Sequence, residues 1–405
     1  MEVLGPKLPL NPIFPEHEFD CCVIGIGRLG LCFAITLERA GLRVVGVDIN
    51  PAYVQKVASK TLHSEEPGLA EGLRESTNLT ATTDLKSAVT KSKVIFILVA
   101  TPTDGGKYYY DHNSLSNVLV QLNELSLTDK SIVISSTVFP GYIRHIGKML
   151  LSSCTNCTLS YNPAFVAQGD VMSGYRTGGW FGMVLVGAAD EDIKTTLITI
   201  YERLGGPQNN TNICVMSPES AEICKLASNC FRTTKISFAN MIGDIADRTE
   251  GAEKHEICNA LKSDKSIGPI CMTPGYGFGG PCYPRDNKAL ALYCQKVGVQ
   301  PLIPKATDDY NDIHHDIMTK NLLANDKLEH FEFEDVTYKP KCAVPMIDKS
   351  PKLEVACALA RAGKTVKIRD RHSVIMEVMK EYGDLFLYET VSDLHAQEVS
   401  SNGVY

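Results

Sequence analysis

The stretch DCCVIGIGRLGLCFAITLERAGLRVVGVDIN, Asp20 to Asn50, constrains this chain more than any other. An apolar run ends in GIGRLG, a helical pattern follows, and a second apolar run closes on Asp48. Continuous apolar runs mark buried strands, and a strand–helix–strand unit of this kind calls for a parallel sheet covered on both faces. In the loop, Gly25 permits the tight turn, Gly27 lets the backbone approach a pyrophosphate, and Gly30 lets the helix pack on the strand. Arg28 and Leu29 lie inside it, where the helix N-terminus presents free N–H groups and positive dipole to phosphates. A carboxylate about 20 residues on, here Asp48, accepts from a ribose 2′-hydroxyl and repels a 2′-phosphate. Arg28 suits a 2′-phosphate, but Asp48 outweighs it, so the pattern points to NAD rather than NADP.

The same rhythm continues downstream. VIFILVATPT, which contains Thr101, and SIVISST, which ends just before Val138 at Thr137, read as further strands, as does GMVLVGA. Gly205, Gly206 and Pro207 mark a break. From Ser217 the period changes, and apolar residues recur at helical spacing for about 30 positions, the pattern of an amphipathic stripe. Ser217 offers the cap, Pro218 takes the first helical position, and Glu219 and Glu222 follow in the first turns. So long a helix suggests a domain connector or a dimer spine. Beyond His314 the pattern weakens: GKTVKIRD reads as a strand after the helix SPKLEVACALARAG, whereas HFEFEDVTYKPK makes a poor strand. The adjacent His314 and His315 read as surface or packing residues. At 405 residues the chain calls for two or three domains. The expected α/β organisation has four parts: a proline-containing leader over 1–18, a Rossmann domain over 19–212, a central long-helix region over 213–313, and a truncated C-terminal Rossmann-like domain over 314–405.

Composition excludes several classes. A net charge of −7 gives no reason to expect nucleic acid or an anionic membrane as partner, and no apolar stretch approaches membrane-spanning length. The fourteen cysteines are scattered and follow no secretory leader pattern, so reduced thiols and a cytoplasmic location are expected. Cys154 and Cys157 form a lone CxxC without the second ligand pair that a structural zinc needs, and no metal is expected.

Two further groups carry chemistry. Lys225 and Asn229 stand one turn apart on one face of the long helix, where charge and a directed N–H suit an oxyanion. From spacing alone, a solvated lysine beside a packing asparagine is the commoner reading. Cys282 follows the glycine-rich GYGFGG, and Asp286 falls one turn later if a helix begins there. A thiol beside an NAD site adds to an aldehyde, and the thiohemiacetal then gives up hydride to become a thioester. By spacing alone, Cys282 is either that nucleophile or a buried structural thiol.

Taken together, GIGRLG, EPGL at Glu66 to Leu69, VATPT, SSTVFPG, YNPAF at Tyr161 to Phe165, EICKLASN and PGYGFGGPCYPRD resemble the UDP-glucose/GDP-mannose dehydrogenase family, most nearly its UDP-glucose 6-dehydrogenase branch. The likeness is clear from about Cys21 to Ile313. It implies two oxidations of C6 of a nucleotide-linked hexose by NAD through a covalent thioester, in a homodimer or higher homo-oligomer. By position, it assigns Cys282 as nucleophile, Lys225 and Asn229 as oxyanion stabilisers, Asp286 to proton transfer through a water, and Thr137 to that water. Phe165, Tyr276, Gly277, Phe278, Gly279 and Lys339 fall to the sugar nucleotide, and Thr101 and Thr137 join the glycine loop on the cofactor.

Departures are local. The family's NPEFLxEG reads NPAFVAQG here, so the glutamate that activates water against the thioester is Ala164 and the second glutamate is Gln168. An alanine supplies no general base, help worth about 10²–10⁴-fold. Near the C-terminus, TYKPKCAVPMIDKSP keeps Lys339 but has Asp348 or Lys349 where the family carries arginine, and the last strand and helix of the family pattern are expected to be incomplete. Three readings follow: an active nucleotide-sugar 6-dehydrogenase, a diverged oxidoreductase that stops at aldehyde or thioester, and an NAD-binding pseudoenzyme that pairs with an active homologue.

Overall fold

The computed structural model describes residues 3–5, 7–103, 109–179, 182–205, 212–324 and 328–391. The chain divides into two compact units, Met1–Lys225 and Leu226–Tyr405.

The first unit is built on one eight-stranded sheet. Its strands are β1 (Phe19–Ile24), β2 (Val44–Val47), β3 (Leu79–Thr82), β4 (Ser92–Ile97), β5 (Ser131–Ile134), β6 (Thr158–Tyr161), β7 (Met183–Gly187) and β8 (Asn212–Met216). They lie in the order β3-β2-β1-β4-β5-β6-β7-β8. Every pairing is parallel except β6 with β7. Alternation along a strand sends Cys21 and Val23 of β1 into one core layer and Cys22 and Ile24 into the other. Both faces are therefore packed, which is why these strands read as unbroken apolar runs. The strand order reverses between β1 and β4, and the loops at the carboxyl ends of those strands flank the crevice where such sheets bind ligands. The leader packs on this unit: Leu8 and Asn11 donate N–H to the carbonyls of Arg39 and Gly41, both at 2.8 Å, and Ile13 and Phe14 donate to the Asp20 carboxylate. Gly205 ends the helix Glu191–Gly205, while Gly206 and Pro207 lie outside the described residues.

The long helix runs Pro218–Ala246, with the Ser217 hydroxyl accepting from the Ser220 N–H as a cap. Its burial departs from a simple amphipathic stripe: Ala221, Leu226, Cys230, Ala239 and Ala246 are buried, but several large apolar side chains face out. Phe231, Phe238 and Ile245, seven residues apart in turn, are 68%, 45% and 53% exposed. Beside the small buried apolar residues runs a buried polar line: Glu222, Lys225, Asn229, Thr233, Ser237, Asn240 and Asp244. The reason lies in what this line meets, for nearly every one of these side chains has a hydrogen-bond partner on another segment of its own unit.

In the second unit, the helices Tyr283–Lys296 and Leu302–Leu323 precede a small sheet of β9 (His330–Glu334), β10 (Thr365–Asp370) and β11 (Leu387–Thr390), ordered β11-β10-β9 and all parallel. The segment expected to be a poor strand is thus β9. Its HFEFE alternates buried phenylalanine with exposed glutamate, and Glu332 and Glu334 each accept from the Arg369 guanidinium of β10 at 2.6 Å. Cross-strand charge pairs offset the poor strand preference of glutamate. The helices Pro351–Arg361 and His372–Tyr382 pack on this sheet through Leu353, Leu359, Val374 and Val378.

Candidate active site

In the first unit, the predicted cofactor residues gather at the carboxyl ends of β1, β2, β4 and β5. Gly25 has φ +89°, a left-handed conformation that glycine adopts without strain. A Cβ on Gly30 would lie 2.0 Å from the Gly25 carbonyl oxygen, so only glycine lets the helix Arg28–Arg39 approach the loop. Gly27 faces open space, with nothing within 4 Å of a Cβ position. One glycine for the turn, one for close packing and one beside empty space form a cradle that fits a pyrophosphate. Arg28 is exposed and Leu29 half-buried beside it. Asp48 follows β2 directly, and its carboxylate accepts the Asn50 N–H at 3.1 Å. The Thr101 hydroxyl donates to the Thr137 carbonyl at 2.7 Å, which joins the loops after β4 and β5. The loop after Thr137 is fixed by buried Glu222, whose carboxylate accepts the N–H groups of Gly141 and Ile143 at 2.7 and 2.9 Å.

The departures from the family pattern are visible here too. Lys225 is buried; its ammonium donates to the Ala164 carbonyl at 2.8 Å and stands 4.3 Å above the Phe165 ring. Gln168 accepts a hydrogen bond from the Arg28 guanidinium of the glycine loop. The segment just after Gln168 is anchored by buried Glu66, which accepts from Gly169 and Val171 N–H at 2.9 and 2.8 Å.

In the second unit, Cys282 is the N-cap of the helix Tyr283–Lys296, with Pro284 at its start. The thiol is exposed, which removes the buried-structural-thiol reading. Other cysteines contrast with it: burial pushes the thiols of Cys21, Cys22, Cys230 and Cys271 up, away from the nucleophilic thiolate. A helix N-terminus favours negative charge, so the position suits a reacting sulfur. Asp286 lies one turn on and fully buried. One of its oxygens accepts from the Asn229 amide at 2.7 Å and the other from Arg285 Nε at 3.0 Å. Spacing had joined Cys282 to Asp286 and Lys225 to Asn229; the Asn229–Asp286 bond across elements is what it missed.

The loop before Cys282 is held on all sides. Asn311 accepts the Phe278 N–H at 2.8 Å and donates to the Phe278 carbonyl. A Cβ on Gly277 would lie 2.4 Å from both His315 Nε2 and the Asn311 side-chain oxygen, and one on Gly279 only 1.8 Å from the Lys349 carbonyl. Tyr276 is exposed, with the Lys352 ammonium 5.7 Å from its ring. Lys339 is half-buried, its ammonium 5.7 Å from the Tyr338 ring. His314 and His315 are buried rather than on the surface, and both face this loop or its neighbours. Sequence spacing gave a hint of this network, since Asn240 and Asp244 continue the face of Lys225 and Asn229 at helical intervals. No group of three or more metal-ligating side chains occurs among the described residues, and no described helix is long and apolar enough to cross a membrane.

Comparison with known proteins agrees with this geometry. Residues 19–205 match the NAD binding domain of the UDP-glucose/GDP-mannose dehydrogenase family and residues 219–313 its central domain. UDP-glucose 6-dehydrogenase TuaD of Bacillus subtilis (strain 168) is 26% identical over 388 residues, covering 90% of this chain and 80% of that protein. GDP-mannose 6-dehydrogenase of Pseudomonas savastanoi pv. phaseolicola is 29% identical over 295 residues, 69% of this chain and 65% of that one. Among solved structures, a UDP-glucose dehydrogenase from the hyperthermophilic archaeon Pyrobaculum islandicum superposes with a TM-score of 0.83 at 26% identity, covering 95% of this chain and 89% of the other. The chain belongs to the UDP-glucose/GDP-mannose dehydrogenase family, NAD-dependent oxidoreductases that act on the CH–OH group of a nucleotide sugar.

Proposed function

We propose that the protein oxidises the C6 alcohol of a UDP-hexose, converting UDP-glucose to UDP-glucuronate in two steps through a covalent intermediate on Cys282. The observation that supports this most is the Cys282 turn, an exposed thiol at a helix N-terminus with Asp286 one turn on, held by Asn229. NAD⁺, when bound, would supply the acceptor for the hydride that leaves C6 in each oxidation. Asp286 takes the hydroxyl proton through a water, and the aldehyde forms. Cys282 sulfur then bonds to C6, giving a thiohemiacetal whose oxyanion is stabilised by the second N–H of the Asn229 amide and by Lys225 charge. Loss of the second hydride leaves a thioester, and water releases the acid and the thiol. Gly25, Gly27, Arg28, Leu29, Gly30, Asp48, Thr101 and Thr137 serve the cofactor; Phe165 and the Tyr276–Gly279 loop serve the sugar, and Lys339 the phosphates.

A second reading rests on Ala164. The carbonyl there engages Lys225, but no carboxylate stands at that position to activate water, which favours an enzyme that releases aldehyde or retains the thioester. Mixing purified protein with NAD⁺ and UDP-glucose separates these. Two NADH per sugar supports the first reading, and a sugar adduct persisting on Cys282 supports the second. NAD binding without NADH from any nucleotide sugar would refute both.

We also infer a homodimer assembled on the long helix. Phe231, Phe238 and Ile245 repeat every seven residues and face outward, a seam that a second copy of the same helix can cover. The scattered, reduced thiols suit a cytoplasmic location.

A further inference from the structure

The backbone of Gly275, which opens the glycine-rich loop, is held from both sides by buried side chains. Its N–H donates to the Asn240 side-chain oxygen at 2.9 Å, and its carbonyl lies 2.7 Å from His314 Nε2. The other imidazole nitrogen, Nδ1, is 2.8 Å from a carboxylate oxygen of Asp244, and the Tyr310 hydroxyl donates to that same oxygen at 2.8 Å. Asn240, Asp244 and His314 are all at least nine-tenths buried. Buried polar groups are costly unless satisfied, so such a network specifies a position rather than adding bulk stability.

Its proton count is fixed by chemistry. A carbonyl oxygen only accepts, so Nε2 must carry a hydrogen to bond Gly275. Nδ1 against a carboxylate oxygen at 2.8 Å needs a proton between them as well. Without that proton, a neutral imidazole has one hydrogen for two acceptors and must release either Asp244 or Gly275. We propose that Asp244 and His314 form a proton-held latch that positions the Gly275–Gly279 loop, so that loss of the shared proton loosens the loop and weakens sugar-nucleotide binding without touching NAD binding.

Several titratable and charged groups face the latch. Burial, then its hydrogen bond to Asp244, pushes the Tyr310 hydroxyl up to about 12, so it keeps donating to Asp244. Arg248 donates to the Asp244 main-chain carbonyl at 2.6 Å, and beyond it Lys254 pairs with Asp247 at 3.0 Å. On the next position of the facing helix, His315 pairs with Glu354 at 3.0 Å, a hydrogen bond that holds the Glu354 carboxyl below its usual range. Lys352 stands over Tyr276 of the loop itself. Loss of a proton is favoured only as pH rises, which gives the direction in which the latch would open.

The proposal rests on the loop serving a nucleotide sugar, and its test has an arm that does not. Hydrogen exchange of the full chain, corrected for the intrinsic pH dependence of exchange, would be followed at residues 275–279 between pH 6 and pH 9.5. Protection in the native sequence is expected to fall at least about 10-fold over that range, on the scale of one lost hydrogen bond. Asp244→Asn is the deciding variant. An asparagine amide can donate to Nδ1 while Nε2–H keeps Gly275, so both bonds survive with no shared proton and protection should stay flat with pH. Tyr310→Phe should keep the native pH dependence. In kinetics, KM for UDP-glucose should rise with pH in the native sequence and not in Asp244→Asn, with kcat and NAD affinity little changed. Flat protection in the native sequence, or an equal alkaline loss in Asp244→Asn, overturns the latch. Absence of turnover would overturn the functional reading alone, since the exchange arm still decides the latch.

Discussion

Replacing Asn229 by alanine tests how the candidate site holds its carboxylate. Asp286 is fully buried, and its Oδ2 accepts from the Asn229 amide at 2.7 Å while Arg285 serves the other oxygen at 3.0 Å. A hydrogen bond to a charged group contributes about 1.5–3 kcal/mol, and breaking up a buried charged pair costs more when no other partner remains. Because Arg285 remains, the lower end applies, and Asn229→Ala should destabilise the protein by about 2 kcal/mol. Asp286→Ala removes the same bond from the other side. A double-mutant cycle read by urea unfolding isolates the pair, and the expected coupling is about 1.5–2.5 kcal/mol. With an m-value of about 2 kcal/mol per M, the single Asn229 variant shifts its midpoint by about 1 M. Activity adds a second reading. If Asn229 also stabilises the oxyanion, kcat should fall about 10²-fold or more, a loss that urea midpoints do not report. A coupling below about 0.5 kcal/mol would refute the claim that Asn229 holds Asp286.

Three other outcomes are expected. Although burial raises the Asp20 carboxyl, the Arg43 guanidinium and the N–H groups of Phe14 and Arg43 outweigh it and hold it below the usual carboxylate range. That stability is present above the unfolded carboxylate pKa and lost as pH falls through the folded one. Asp20→Asn should thus lower Tm at pH 7, with the gap closing below about pH 4 as the native carboxyl protonates; a gap independent of pH would count against this. On the long helix, Phe231→Glu should weaken self-association by about 2–4 kcal/mol in sedimentation, and an unchanged oligomer would argue against that seam. Ala164→Glu should raise the rate of product release if thioester hydrolysis limits turnover, and no change in kcat would remove that limit.

The first unit was legible because its signals are local. Apolar runs bounded by the glycine loop gave β1, β2, β4, β5 and β7, and Ser217 with Pro218 gave the start of the long helix. The strands LTAT, TLSY and NICVM are short and partly polar, so nothing local separates them from loops. β9 was hidden by its glutamates, whose partner Arg369 is distant in sequence. The same limit applies to the site. Cys282 and Asp286 stand one turn apart and could be paired from spacing, but Asn229 meeting Asp286 depends on how separate helices pack. On the long helix, periodicity shows that two faces exist; which is buried is set by the polar backbone and side chains waiting for Thr233, Ser237 and Asn240.

The crowding around Gly277 and Gly279 has an evolutionary consequence. A side chain at either position would strike His315, Asn311 or the Lys349 backbone, so folding alone demands both glycines whether or not a substrate ever arrives. A descendant that ceased to turn over sugar nucleotides would still be selected to keep Gly277 and Gly279, and that pair would mark ancestry long after activity was gone. Cys282 is exposed and free of that demand on its volume. Drift in an idle lineage would therefore erase the thiol well before the glycines, and the thiol is the residue to read when sorting working members of such a lineage from silent ones.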